Sequence, residues 1–123
     1  MVLIACLDDK NGMSFGGRRQ SRDRVVCERI LSLSKENRVF MKRYSAKLFP
    51  TGNAAVCPCE ELAFATGTPG YCFVEIDDVD ALLASADEVI LYRWNRTYPA
   101  DRYFPTEILQ DGWTLICKND RFG

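Results

Sequence analysis

Val2-Leu3-Ile4-Ala5-Cys6-Leu7, followed by Asp8-Asp9-Lys10-Asn11-Gly12, decides the fold class. In an extended chain successive side chains point to opposite faces, so Val2, Ile4 and Cys6 form one face and Leu3, Ala5 and Leu7 the other. Both faces are apolar. Such a strand belongs inside a sheet covered by helices on each side, the environment of a parallel α/β sheet. The polar run from Asp8 to Gly12 ends the strand as a turn would. The apolar run is too short, and lacks the basic lead, to read as a secretory leader.

The rest of the chain alternates in the same way. Residues 9–20 are polar and rich in glycine (Gly12, Gly16, Gly17), which predicts a loop. Val26, Ile30 and Leu33 recur at helical spacing behind Ser21, a candidate N-cap, and predict a helix over residues 21–35. Val39-Phe40-Met41 reads as a second strand, residues 44–49 as one or two helical turns, and Ala54-Ala55-Val56-Cys57 as a third strand. Residues 60–66 read as a short helix broken by Gly67-Thr68-Pro69-Gly70. Residues 71–76 form a strand, 79–86 a short helix, 88–96 the longest strand and 113–117 the last. Strands alternating with short helices predict an α/β domain of three layers, a mostly parallel central sheet with flanking helices. The whole chain, 1–123, reads as one domain.

Composition narrows the function. Sixteen basic and seventeen acidic residues leave a net charge of −1, so no overall electrostatic case exists for nucleic acid or an anionic membrane. No apolar run reaches the ~18 residues of a membrane helix. The chain has no histidine, which excludes Ser-His-Asp and Cys-His pairs and His-built zinc sites. Of the six cysteines, Cys6, Cys72 and Cys117 fall in apolar strand patterns and Cys27 on a helix. They read as reduced thiols of a cytoplasmic protein rather than a disulfide framework. Cys57-Pro58-Cys59 has one intervening residue where zinc pairs have two to four, and no second pair completes it, so no metal is expected.

Two clusters carry candidate binding chemistry. Gly16-Gly17-Arg18-Arg19-Gln20-Ser21-Arg22 precedes a helix start. Arg18, Arg19 and Arg22 suit a phosphate or other anion, though such a run is also what a solvated loop looks like. Tyr92, Trp94, Tyr98, Tyr103, Phe104 and Trp113 surround Arg93, Arg96 and Arg102. Stacking on single-stranded nucleic acid uses such groups, but aromatics on a long strand more simply pack a core.

Three stretches together resemble the dihydrofolate reductase family. They are Leu3-Ile4-Ala5-Cys6-Leu7-Asp8 through Asn11-Gly12-Met13; Arg38-Val39-Phe40-Met41-Lys42-Arg43-Tyr44-Ser45, similar to the junction V-I-M-G-R-x-T; and the segment from Glu88 to Pro105, with Gly112-Trp113 beyond, similar to the family's long strand, its G-D-x-x-F-P turn and the following tryptophan. Together they make up about a third of the chain. The resemblance implies a dihydrofolate reductase-like fold with Asp23 as the substrate-binding, proton-relay carboxylate. It also implies a substrate cleft near Ala5 and Tyr92, with Arg43 and Ser45 holding NADPH phosphates. Asp23 agrees in part with the helical pattern, three or four residues before Val26 and Cys27 on one stripe, while an acid there also suits a first helical turn.

The chain departs from the family on the cofactor side. Lys42 stands where a glycine is expected. The paired glycines that let backbone amides reach a pyrophosphate are replaced by Phe73-Val74-Glu75-Ile76-Asp77-Asp78, whose carboxylates would repel a phosphate. A strand–helix unit is missing between Cys59 and Tyr71. The chain stops at Gly123, where the family continues into a further strand, so an open sheet edge beside residues 113–117 would favour a homodimer. The expectation is a degenerate module with weak or no NADPH binding that takes a small or phosphorylated ligand or a protein partner. The alternative is an NADPH-dependent reductase of a pterin-like substrate using Asp23.

Overall fold

The structure is a computed structural model and describes residues 1–33, 37–50, 52–62, 70–77, 79–94 and 96–106. Within these, β1 (Val2–Leu7) lies inside a five-stranded sheet with β4 (Val39–Lys42), β5 (Val56–Cys59), β6 (Tyr71–Val74) and β7 (Glu88–Arg93). The strand order is β5-β4-β6-β1-β7, and the neighbouring strands run parallel. β1 pairs with β6 from Val2↔Tyr71 to Ala5↔Val74 and with β7 from Val2↔Glu88 to Leu7↔Arg93. Its two apolar faces are therefore both used. Leu3, Ala5 and Leu7 pack with Cys72, Val74 and the α3 (Asp80–Ser85) residues Leu82 and Leu83. Ile4 packs on the other side with Val26 and Ile30 of α1 (Arg24–Leu33), and with Val39, Met41 and Phe73. The result is an α/β fold with a mostly parallel central sheet, as the opening strand predicts.

Residues 9–20, expected as a loop, form part of a second sheet of order β3-β2-β8, from β2 (Gly12–Phe15), β3 (Arg18–Arg19) and β8 (Arg102–Tyr103). Its β2–β3 hairpin turns on Gly16 and Gly17, both at positive φ (59° and 73°), which two-residue hairpins require and glycine supplies without strain. Strands of two to four residues are too short to show an alternating pattern, which is why the sequence reads as a loop there.

The first helix also starts later than expected. Asp23, not Ser21, is its N-cap: Asp23 Oδ1 accepts the backbone N–H of Val25 at 2.7 Å and of Val26 at 3.3 Å, and the Asp23 carbonyl accepts that of Cys27. Four residues, Arg43–Ala46, form α2. The expected strand at 54–57 is displaced to Val56–Cys59, and its Pro58 is exposed on a strand that, among the described residues, is paired only with β4. The expected last strand at 113–117, and most of the expected helix at 60–66, lie outside the described residues.

Candidate functional site

Because the strands are parallel, their carboxyl ends share one edge. The chain leaves β1 toward β4 through α1 on one face, and leaves β6 toward β7 through α3 on the other. The crevice between the ends of β1 and β6 is thus the topological switch point, where open α/β sheets bind ligands.

That crevice is filled by the chain itself. Glu75, the first residue past β6, is 7% exposed. Arg19 forks onto it, with Nε 2.9 Å from Oε2 and Nη2 3.1 Å from Oε1. The same guanidinium donates to the Tyr44 carbonyl at 3.0 Å and stacks over the Tyr44 ring, 4.1 Å from its centroid. The Tyr44 hydroxyl accepts the Arg19 backbone N–H at 2.9 Å. Burial pulls the Arg19 pKa down, but the Glu75 carboxylate outweighs it and raises the pKa. The remaining space is about 10 Å³, room for about one water. Cys6, Val74 and Trp94 line it from the sheet; Met13 and residues 19–21 line it from the hairpin side.

Two further acids lie at this edge. Asp8, directly after β1, is 1% exposed. Its Oδ1 accepts from Lys10 N (2.8 Å) and Gly12 N (2.7 Å), and its Oδ2 from Gln20 Nε2 (2.9 Å) and Tyr98 N (3.2 Å). Burial alone would raise its pKa, but the donors, led by Gly12 and Tyr98, hold it below the ordinary carboxylate range. Asp77, 5% exposed at its side chain, has Lys42 Nζ 2.8 Å from Oδ1, and this close contact, with the Asp77 charge behind it, raises the Lys42 pKa. Neither Asp77 oxygen has an aligned hydrogen bond among the described residues, so charge rather than direction holds this pair.

This pairing corrects one inference from sequence. Glu75 and Asp77 read there as free carboxylates facing a phosphate. Each has its own cation, so Glu75 and Asp77 are ion-paired side chains rather than bare negative charge. Asp78 lies outside the described residues.

The residues expected to form a site are only partly brought together. Asp23 is half-buried and its Oδ1 serves the helix cap; burial first and the Glu75 charge next, with Asp23 a lesser contributor, raise the pKa of Cys6 and Cys27. Asp23 does not line the small cavity. Ala5 is fully buried in the cluster on the α3 side, whereas Tyr92, 6% exposed, is buried on the α1 side, where burial raises its pKa. The two lie on opposite faces of the sheet because Tyr92 pairs with Cys6, not Ala5. Arg43 is 75% exposed with Glu60 3.9 Å away, while Ser45 is fully buried and its hydroxyl has no hydrogen-bond partner among the described residues. Of the three arginines proposed for an anion, Arg18 and Arg22 are exposed and Arg19 is committed to Glu75.

The other candidates separate as well. Cys6, Cys27, Cys57, Cys59 and Cys72 are free thiols, and burial pushes Cys72 up to about 12. Cys59 Sγ donates to the Met41 carbonyl, and no group of three metal-ligating side chains occurs among the described residues. Of the aromatic group, Tyr92, Trp94 and Phe104 are core residues, and Tyr103 is exposed. No described helix is long and apolar enough to cross a membrane. Comparison with protein-family models gives no match to this chain, and comparison with curated proteins gives none either.

Proposed function

We propose that this chain is a divergent dihydrofolate reductase-like domain that works as a ligand- or partner-binding module, with a degenerate NADPH site. One observation carries the reading: the switch-point crevice holds the Arg19–Glu75 fork and about 10 Å³ of free space. A dinucleotide needs backbone amides open to its pyrophosphate at this edge. Buried, ion-paired Glu75 and Asp77 stand in that segment instead, and Ser45 is sealed in the core. The residues present do not fit NADPH. Exposed Arg18 and Arg22 beside the crevice suit a phosphorylated ligand. A cytoplasmic location and a homodimer through a sheet edge are part of the same proposal.

The rival reading is an NADPH-dependent reductase with Asp23 as proton relay and Arg43 and Ser45 on the cofactor. It draws support from the place of Asp23 at the start of α1, whose Val26 and Ile30 pack with Ile4 of β1. Thermal unfolding with NADPH, NADP, folate and dihydrofolate separates the two, because a ligand that binds the native state must stabilise it, by about 2.7 kcal/mol at a hundredfold excess over Kd. The module reading expects no shift from any of the four. A clear shift with NADPH and dihydrofolate together overturns it.

A further inference from the structure

Arg19 meets Glu75 in the way a bound small molecule would. Two N–H groups of one flat cation meet the two oxygens of one carboxylate at 2.9 and 3.1 Å. A third N–H reaches the Tyr44 carbonyl at 3.0 Å, and the cation's face lies 4.1 Å from the centre of the Tyr44 ring. Fork, carbonyl and ring face together select a planar, delocalised N–H cation over a round ammonium, which can satisfy the charge but not the plane. Glu75 is 7% exposed, and an ionised carboxylate that deeply buried is costly without a cation beside it. The residue that supplies it comes from a short attachment. β3 is two residues long, paired to β2 through Ser14↔Arg19 and Phe15↔Arg18 and hung on the Gly16-Gly17 turn; its further ties are Arg19 N to the Tyr44 hydroxyl and Gln20 Nε2 to Asp8, which displacement would release. Beneath it lie Cys6, Val74 and Trp94 at the sheet's carboxyl edge.

We propose that Glu75 and Tyr44 form a receptor for planar amidinium or guanidinium ligands, and that Arg19 is its built-in occupant, displaced when such a ligand binds. This goes beyond the module reading, whose phosphorylated ligand would use the exposed Arg18 and Arg22; the cationic ligand would enter the crevice itself. The ligand's apolar body would lie against the sheet edge beside Trp94, and residues 18–20 would swing outward.

The test uses the full chain with Arg19→Ala, Arg19→Lys and the double variant Arg19→Ala/Glu75→Gln, each titrated with benzamidine, methylguanidine and methylamine. Binding is read by calorimetry and by thermal unfolding. Benzamidine and methylguanidine are expected to bind Arg19→Ala at least about tenfold more tightly than the double variant, and methylamine to bind neither. Arg19→Lys keeps the charge but cannot fork, so it is expected to be displaced by benzamidine more easily than the wild-type arginine; it also serves if Arg19→Ala does not fold. Equal benzamidine affinity with and without the Glu75 carboxylate overturns the proposal, as does methylamine binding as well as benzamidine. NADPH binding by the wild type reports separately on the module reading, so the two can fail independently.

Discussion

Asp8→Asn isolates the knot that ties the end of β1 to the second sheet. The Asp8 carboxylate is fully buried and takes two donors on each oxygen, Lys10 N and Gly12 N on one, Gln20 Nε2 and Tyr98 N on the other. Asparagine keeps one acceptor and turns the other into a donor. The less costly orientation leaves its oxygen toward Lys10 and Gly12 and its amino group toward Gln20 and Tyr98. Gln20 can turn its partnerless Oε1 toward the amino group, giving up the long 3.4 Å bond from its Nε2 to the Pro99 carbonyl. Tyr98 N cannot, and loses its acceptor, at about 1 kcal/mol. The two remaining bonds change from charge-assisted to neutral, which costs about 0.5–1 kcal/mol each. The sum is about 2–3 kcal/mol, or roughly 10 °C in Tm for a domain of this size. Because the folded pKa of Asp8 is depressed, its contribution is complete above the unfolded value near 3.9 and is lost as pH falls through the folded value. Wild type and variant should therefore differ at pH 7 and converge in acid. Thermal unfolding by circular dichroism at both pH values checks this. A Tm within about 2 °C of wild type at pH 7, or a gap unchanged in acid, refutes the reasoning.

Gly12→Ala should destabilise by about 2 kcal/mol in urea titrations, since a Cβ there comes within 2.7 Å of Ala100 Cβ and 2.8 Å of Asp8 Oδ2. Gly70→Ala should cost at least as much by the same measurement, because Gly70 sits at φ 127° and its added Cβ would lie 2.8 Å from the Arg38 carbonyl oxygen. Lys42→Met strands the Asp77 carboxyl in the interior, and should cost about 1–2 kcal/mol, a figure reduced because Lys42 itself is 37% exposed. The Lys42 pKa is raised, so this contribution is complete below the unfolded value near 10.4 and is lost as pH rises through the folded value; the gap to wild type should persist at pH 9 and close in strong alkali.

The architecture was legible because β1 is apolar on both faces. That pattern fits few environments, and it placed the strand inside a parallel sheet with α1 and α3 on opposite sides. The hairpin was not legible: Phe15-Gly16-Gly17-Arg18 carries a turn signal, but the flanking strands are too short for periodicity. The cap was misplaced from Asp23 to Ser21 because both residue types cap helices, and only the start of the ladder decides between them. Alternation within a strand does show which residues share a face. It does not show register between strands, so Ala5 and Tyr92 could be grouped in one cleft although the β1–β7 pairing puts them on opposite sides. Charge in sequence likewise has no partner. Glu75 and Asp77 looked repulsive until Arg19 and Lys42, 56 and 35 positions earlier, were seen to meet them.

Calorimetric titration of NADPH into the wild-type chain bears most directly on whether the edge of the sheet accepts a dinucleotide. With Glu75 and Asp77 buried in ion pairs where backbone amides would have to be exposed, the expected dissociation constant is weaker than about 100 μM, or no heat is detected. A dissociation constant near about 1 μM would contradict this and mean that Arg19 and Glu75 part to admit the cofactor.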